Sequence, residues 1–225
     1  MMRGAITKNG LLLGVFAMVT TAIIAATQLS TKDRIAEQFR LAKEKALLEI
    51  VPRERHDNQL LDSTVEVSGE LLGYSEPRTA FIARVQNAPI GIILPAVAPD
   101  GYSGKIELLV GINTDGSVAG VRIVKHAETP GLGDKVELRK SDWVLSFNGK
   151  SIGQPSASGW AVKKDKGEFD QFTGATITPR AVTRAVFNAL QYYNKNEHLL
   201  SARVDAPTSN ILSTTTPNRE EGNVR

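Results

Sequence analysis

The run Asp170-Gln171-Phe172-Thr173-Gly174-Ala175-Thr176-Ile177-Thr178-Pro179 holds three hydroxyls within six residues, beside a glycine and just ahead of a helix signal. Thr178 followed by Pro179 reads as the N-cap and first residue of a helix over 179–194. The first N–H groups of such a helix lack internal partners and lie at the positive end of its dipole, so an anion fits there. Arg180 adds positive charge. The same residues also suit a plainer role, in which Thr173 and Thr178 cap turns and Gly174 satisfies a backbone angle. Residue types alone leave both readings open.

Other chemistry finds no support. Gly149-Lys150-Ser151 echoes the end of a phosphate-binding loop, but Val144 stands where its first glycine belongs. Gly131-Leu132-Gly133 lacks the third glycine of a dinucleotide fingerprint, since Val136 occupies that place. Tyr102-Ser103-Gly104 is followed by Lys105, which rules out a nucleophile elbow. His56, His126 and His198 have no metal-ligand spacing, so no metal site is expected. No nucleophile–base set is assembled, which argues against a hydrolase.

The elements that position the hydroxyls follow from pattern. From Asn9 to Thr31 no residue is charged, and 10–29 is mostly apolar. Twenty helical residues span about 30 Å, the thickness of a bilayer's hydrocarbon core. A cleaved signal peptide has a shorter apolar region and a small-residue exit, whereas here Ile24 fills a position that should be small. An uncleaved transmembrane anchor is therefore expected over 10–29. Arg3 and Lys8 precede it, which keeps 1–9 in the cytoplasm and puts the rest of the chain on the far side. Ser30 reads as the N-cap of a separate amphipathic helix over 30–51, either a stalk or a helix packed on the domain.

The period then changes to two. Strands are expected over 64–68, 79–86, 90–97, 105–112 and 117–124, separated by turns at Glu76-Pro77, Asn87-Ala88-Pro89, Pro99-Asp100-Gly101 and Asp115-Gly116. A helix is expected over 134–147 and a short strand over 160–163. Ala181, Val182, Ala185, Val186, Ala189 and Leu190 form the apolar stripe of the helix from 179. The polar tail 202–225 reads as disordered. The pattern predicts an α+β domain over 52–201, a mostly antiparallel sheet with flanking helices, behind one N-terminal transmembrane helix.

Composition narrows the rest. With 27 basic and 24 acidic residues scattered along the chain, no stripe suits nucleic acid. Without cysteine, disulfides, iron–sulfur clusters and cysteine–zinc sites are excluded. A redox role would need another cofactor.

Asp170, Thr173, Gly174, Ala175 and Thr176 match every specified position of Asp-x-x-[Ser/Thr]-Gly-Ala-Thr, and the run resembles the flavinylation signature of covalent FMN-binding domains. The stretches 98–104, 109–111, 126–134 and 160–164 resemble the G-subunit family of the Rnf/Rsx ion-translocating electron-transport complexes, and the likeness extends from the anchor to about residue 190. The resemblance implies FMN joined through its phosphate to Thr176. It also implies a separate flavin transferase that recognises Asp170, Thr173, Gly174, Ala175 and Thr176, and other membrane subunits of the complex as partners. The location implied is a bacterial inner membrane, with the main domain periplasmic. The role implied is electron carriage without catalytic residues of the chain's own. Thr173, Gly174, Ala175 and Thr178 are then expected around the cofactor, with Glu128, Thr129, Gly131 and Leu132 from the loop 128–133. Lys163 is placed to stabilise a reduced, anionic flavin. Each has a plainer alternative: the loop is only a turn, and Lys163 only solvated. A cofactor-free scaffold domain is the competing reading of the whole.

Overall fold

A computed structural model describes residues 2–204; of the tail 202–225 expected to be disordered, 202–204 continue the final helix and the remainder lies outside the described residues. The first element, α1 (Met2–Ile50), is one helix of 49 residues. Its stretch Asn9–Lys32 is long and apolar enough to cross a membrane and is not buried by the other described residues. The break expected at Ser30 is absent. No proline precedes Pro52, and Thr31 donates its hydroxyl back to Thr27 O at 2.8 Å, so the polar residues ride along the helix without capping a new one.

Five strands follow: β1 (Thr64–Gly69), β2 (Tyr74–Val85), β3 (Ala88–Gly101), β4 (Gly104–Asn113) and β5 (Val118–Lys125). They pair antiparallel in sequence order, as alternating apolar runs joined by tight turns must. Gln86 and Asn87, both at positive φ, make the two-residue turn between β2 and β3, and Gly116 at φ +80° serves the Asp115-Gly116 turn. Glu76-Pro77 does not form a turn. It lies inside β2, where the pairing with β1 slips between Val67 and Gly69, and such an irregularity accommodates a residue without an N–H.

Both faces of the sheet are buried. Ile82, Leu94, Leu108 and Val110 meet the final helix, α2 (Ile177–Val204), through its predicted stripe from Ala181 to Leu190. On the opposite face Phe81, Ile93 and Leu109 meet Leu47, Ile50 and Val51 at the end of α1. Gly111 and Gly120, paired across β4 and β5, make the slot for Ile50: a Cβ on Gly111 would stand 2.2 Å from Ile50 Cγ2. Arg122 fixes the joint. Its Nη2 donates to Glu49 O and its Nε to Glu49 Oε2, each at 2.9 Å, so a cation closes the helix C-terminus. The last turns of α1 are thus part of the domain's core, which begins before residue 52.

Between β5 and α2 the chain has no long element. The helix expected over 134–147 is two 3-10 segments, Gly133–Val136 and Asp142–Phe147. Lys140-Ser141 interrupts them, because the Ser141 side chain accepts from Trp143 N and starts a new turn. The expected strand over 160–163 reduces to one bridge, Val162 to Phe169. Packing, and no ladder, holds this region. Trp143, Phe147, Trp160, Phe169 and Phe172 pack edge-on, tilted or, for Phe147 and Trp160, near-parallel, with ring centroids 4.6–6.2 Å apart.

Candidate functional site

The aromatic cluster places the hydroxyl-rich run. Trp143 Nε1 donates to Asp170 O at 2.7 Å, and the Trp143 ring meets Phe172 edge-on at 5.2 Å. From that anchor the chain makes a type II turn: Ala175 N donates to Phe172 O at 3.1 Å, with Thr173 and Gly174 at the centre and Gly174 at φ +80°. The glycine is required there, since an L-residue at this φ is strained. The turn delivers Thr176, half-buried, to the mouth of α2, whose first residue is Ile177.

Thr178 is not the N-cap. It lies inside the first turn of α2, fully buried, and donates its hydroxyl to Glu128 Oε2 in a short hydrogen bond. The helix starts two residues early because Thr176 O already accepts Arg180 N at 3.3 Å. Pro179 contributes no N–H, so Ile177 and Thr178 supply the first-turn donors that no helix carbonyl takes. Arg180 is engaged by a carboxylate of the chain itself. Its guanidinium forms a two-point pair with Asp165 at 2.6 and 2.8 Å, and that hydrogen bond holds the Asp165 carboxyl below the usual carboxylate range.

Glu128 ties three segments together. Besides Thr178 it accepts Ser103 N at 2.9 Å, from the turn between β3 and β4, and it is 4 % exposed. Its own N–H donates to His126 Nδ1 at 3.0 Å, which leaves His126 Nε2 as the protonated nitrogen that donates to Glu137 at 2.6 Å. Gly133 closes the arrangement. A Cβ there would stand 2.8 Å from Glu128 Oε2 and 3.0 Å from Thr178 Oγ1, so only glycine lets the loop lie this close to α2.

The same loop reaches the turn. Gly131, at φ +79°, donates its N–H to Asp134 Oδ1 at 2.8 Å, while Thr129 O accepts Leu132 N and Gly133 N. Leu132 is held at the loop's tip, 42 % exposed, and its Cδ2 lies 3.5 Å from where a Cβ on Gly174 would be. Of the residues expected around a cofactor, Glu128 and Thr178 are in contact, and Leu132 and Gly174 are neighbours. Thr129 lies exposed in the same loop. Lys163 is drawn to Asp170, with 2.6 Å between Nζ and Oδ1, and both are exposed. Ser103 and Trp143 were not among the residues expected around a cofactor: nothing local marks Ser103 for this role, and Trp143 showed only as an apolar position. Gly133 was expected as the end of the loop 128–133, and its close backbone approach to Glu128 and Thr178 fits that reading.

An FMN fits these residues. Its phosphate needs an oxygen at a helix mouth with free N–H groups, and its ring needs an accessible apolar surface. Thr176 and the first turn of α2 supply the former; Leu132 and Ile177, both partly exposed, supply the latter.

Comparison with known proteins agrees. Residues 101–191 match the FMN-binding domain, and residues 1–50 match the RnfG N-terminal region. The G subunit of the ion-translocating oxidoreductase complex from Pseudomonas aeruginosa is 52 % identical over 205 residues, covering 91 % of this chain and 96 % of that protein. Its counterpart in Shewanella amazonensis is 50 % identical over 197 residues, 87 % of this chain and 92 % of that protein. The one in Vibrio atlanticus is 46 % identical over 202 residues, 90 % and 97 %. With its whole architecture, from apolar helix to FMN-binding domain, matched at this level, the chain belongs to the G-subunit family of ion-translocating oxidoreductase complexes.

Proposed function

We propose that the chain is an electron-carrying subunit of an ion-translocating oxidoreductase complex, with FMN joined as a phosphoester to Thr176 Oγ1. One observation carries the choice of atom. Of the three hydroxyls in the run, Thr178's is engaged by the buried Glu128 and Thr173's stands out on the exposed turn. Thr176 is the hydroxyl at the mouth of α2, where the phosphoester's remaining negative charge gains about 0.3–1 kcal/mol from the helix terminus. FMN, when bound, supplies reversible electron uptake. The chain's residues hold and orient it: Leu132 and Ile177 offer apolar surface, and Glu128 fixes the loop against α2. Lys163 and Asp170, paired beside the turn, suit recognition by a flavin transferase during maturation.

In this reading α1 crosses the inner membrane once, with Arg3 and Lys8 on the cytoplasmic side and the sheet domain outside. Covalent attachment suits that compartment, where a dissociated flavin is not replaced. The test is in-gel fluorescence of denatured protein made with and without the transferase. Wild type fluoresces only with it, and Thr176→Ala does not fluoresce at all. Colourless wild type from cells that contain the transferase would favour a cofactor-free scaffold domain.

A further inference from the structure

A cleft of about 650 Å³ opens between the stalk part of α1, the end of β5 and the stretch Glu137–Arg139, and no part of the flavin reading uses it. β5 is the last strand of the sheet. Its outer edge is closed at Val118, which exchanges hydrogen bonds with Lys150 O and Gly149 N, both at 2.8 Å. Further along, among the described residues, no loop bonds to Ile123, Val124 or Lys125. An open strand edge takes up extended segments unless something blunts it. The cleft beside it also offers apolar surface: Val124, 58 % exposed, stands at a slip in the pairing with β4, and Ala46, Ile123 and Leu138 line the same cleft.

Charge narrows the occupant. Glu49 is taken by Arg122, and Glu137 by Arg139 and His126. Lys45 and Lys125 remain, exposed and without an anionic partner among the described residues. The cleft thus presents two uncompensated ammonium groups and no uncompensated carboxylate. Height excludes a lipid headgroup as its source of negative charge. At 1.5 Å per residue, Ala42 and Glu49 stand roughly 15 and 26 Å along the helix from Lys32, where the apolar span ends.

We infer that this cleft docks an acidic, extended segment of another subunit, laid along Ile123–Lys125 as a sixth strand with carboxylates on Lys45 and Lys125. The inference rests on the chain working within a membrane complex, but not on the flavin. A water-soluble carbodiimide, applied to the intact purified complex, condenses an amine with a touching carboxylate to an amide with loss of water. Peptide mass spectrometry should find Lys45 or Lys125 joined to Asp or Glu of one other subunit. The double variant Lys45→Glu, Lys125→Glu should lose those links and cut several-fold the share of this chain recovered with the complex. Lysines introduced at the linked carboxylates should restore recovery, which a folding defect would not permit. Flavin fluorescence of the chain should stay unchanged throughout; its loss would strike the flavin reading and leave docking to be judged on the links of the unmodified complex. Absence of links from either lysine, links only to a second copy of this chain, or undiminished recovery of the double variant would overturn the inference.

Discussion

Replacing Thr178 by valine removes one hydroxyl at nearly constant shape and tests what holds the loop to α2. The side chain is fully buried, and its hydroxyl is bound to the Glu128 carboxylate. A hydrogen bond to a charged group contributes about 1.5–3 kcal/mol, and its loss also leaves a buried oxygen short of a partner. In a chain of this size 1 kcal/mol moves Tm by about 2–4 °C, so Thr178→Val should lower it by roughly 3–12 °C. The measurement is thermal unfolding followed by Trp143 and Trp160 fluorescence, extended to a double-mutant cycle with Glu128→Met. That partner removes both acceptor oxygens and keeps an unbranched chain of similar length; Ser103 N–H, on an exposed residue, can turn to water. If the hydroxyl–carboxylate bond is what Thr178 contributes, the double variant is less destabilised than the sum of the singles by at least about 1 kcal/mol. Were Thr178 only a helix cap, its loss would cost ~1 kcal/mol and the two substitutions would simply add. Additivity would refute the account.

Gly133→Ala should destabilise by about 1–3 kcal/mol through overpacking against Glu128 and Thr178, and should slow flavin labelling of Thr176 in a transferase time course. Its unfolding should be as cooperative as wild type. The soluble fragment 42–204 should melt cooperatively, whereas 52–204 should aggregate. The shorter piece lacks Leu47 and Ile50, two burials worth roughly 4–10 kcal/mol together, comparable to a whole domain's stability. Glu137 titrates below the usual carboxylate range because Arg139, and then His126, hydrogen-bond its carboxylate. With the folded value depressed, this stabilisation is complete above about pH 4.3 and is lost as pH falls through the lower folded value. Arg139→Ala should therefore lower Tm near neutral pH, and the difference from wild type should vanish in strong acid.

How much of this was legible in the sequence divides along physical lines. Apolar runs rich in Val, Ile and Leu, bounded by turn residues, located all five strands. With α2 on one face and the end of α1 on the other, the central strands are buried on both sides and are marked by those runs more than by strict alternation. Their ends moved where pairing could tolerate a slip, as at Pro77. The apolar positions of 134–147 were legible as core, but their helix was not: Val136, Trp143, Val144 and Phe147 are buried as expected, while Ser141 broke the element between them. Thr178 looked like a cap because capping is local and writes itself into adjacent residues. Its real partner is Glu128, fifty positions away, and no local pattern records such a pair. The glycine slot for Ile50 is likewise invisible until β4 and β5 are side by side. The turn at Thr173-Gly174 was foreseeable, since Gly174 at positive φ is what the residue type offers.

The most direct test of the central claim is peptide-level mass spectrometry of the full chain isolated from cells that contain the flavin transferase. Digestion should give one flavin-bearing peptide covering Asp170–Arg180, with fragment ions that place the FMN phosphoester increment on Thr176. The same peptide from Thr176→Ala should carry none. An increment on Thr173 or Thr178, or a wild-type peptide free of flavin, would contradict the account.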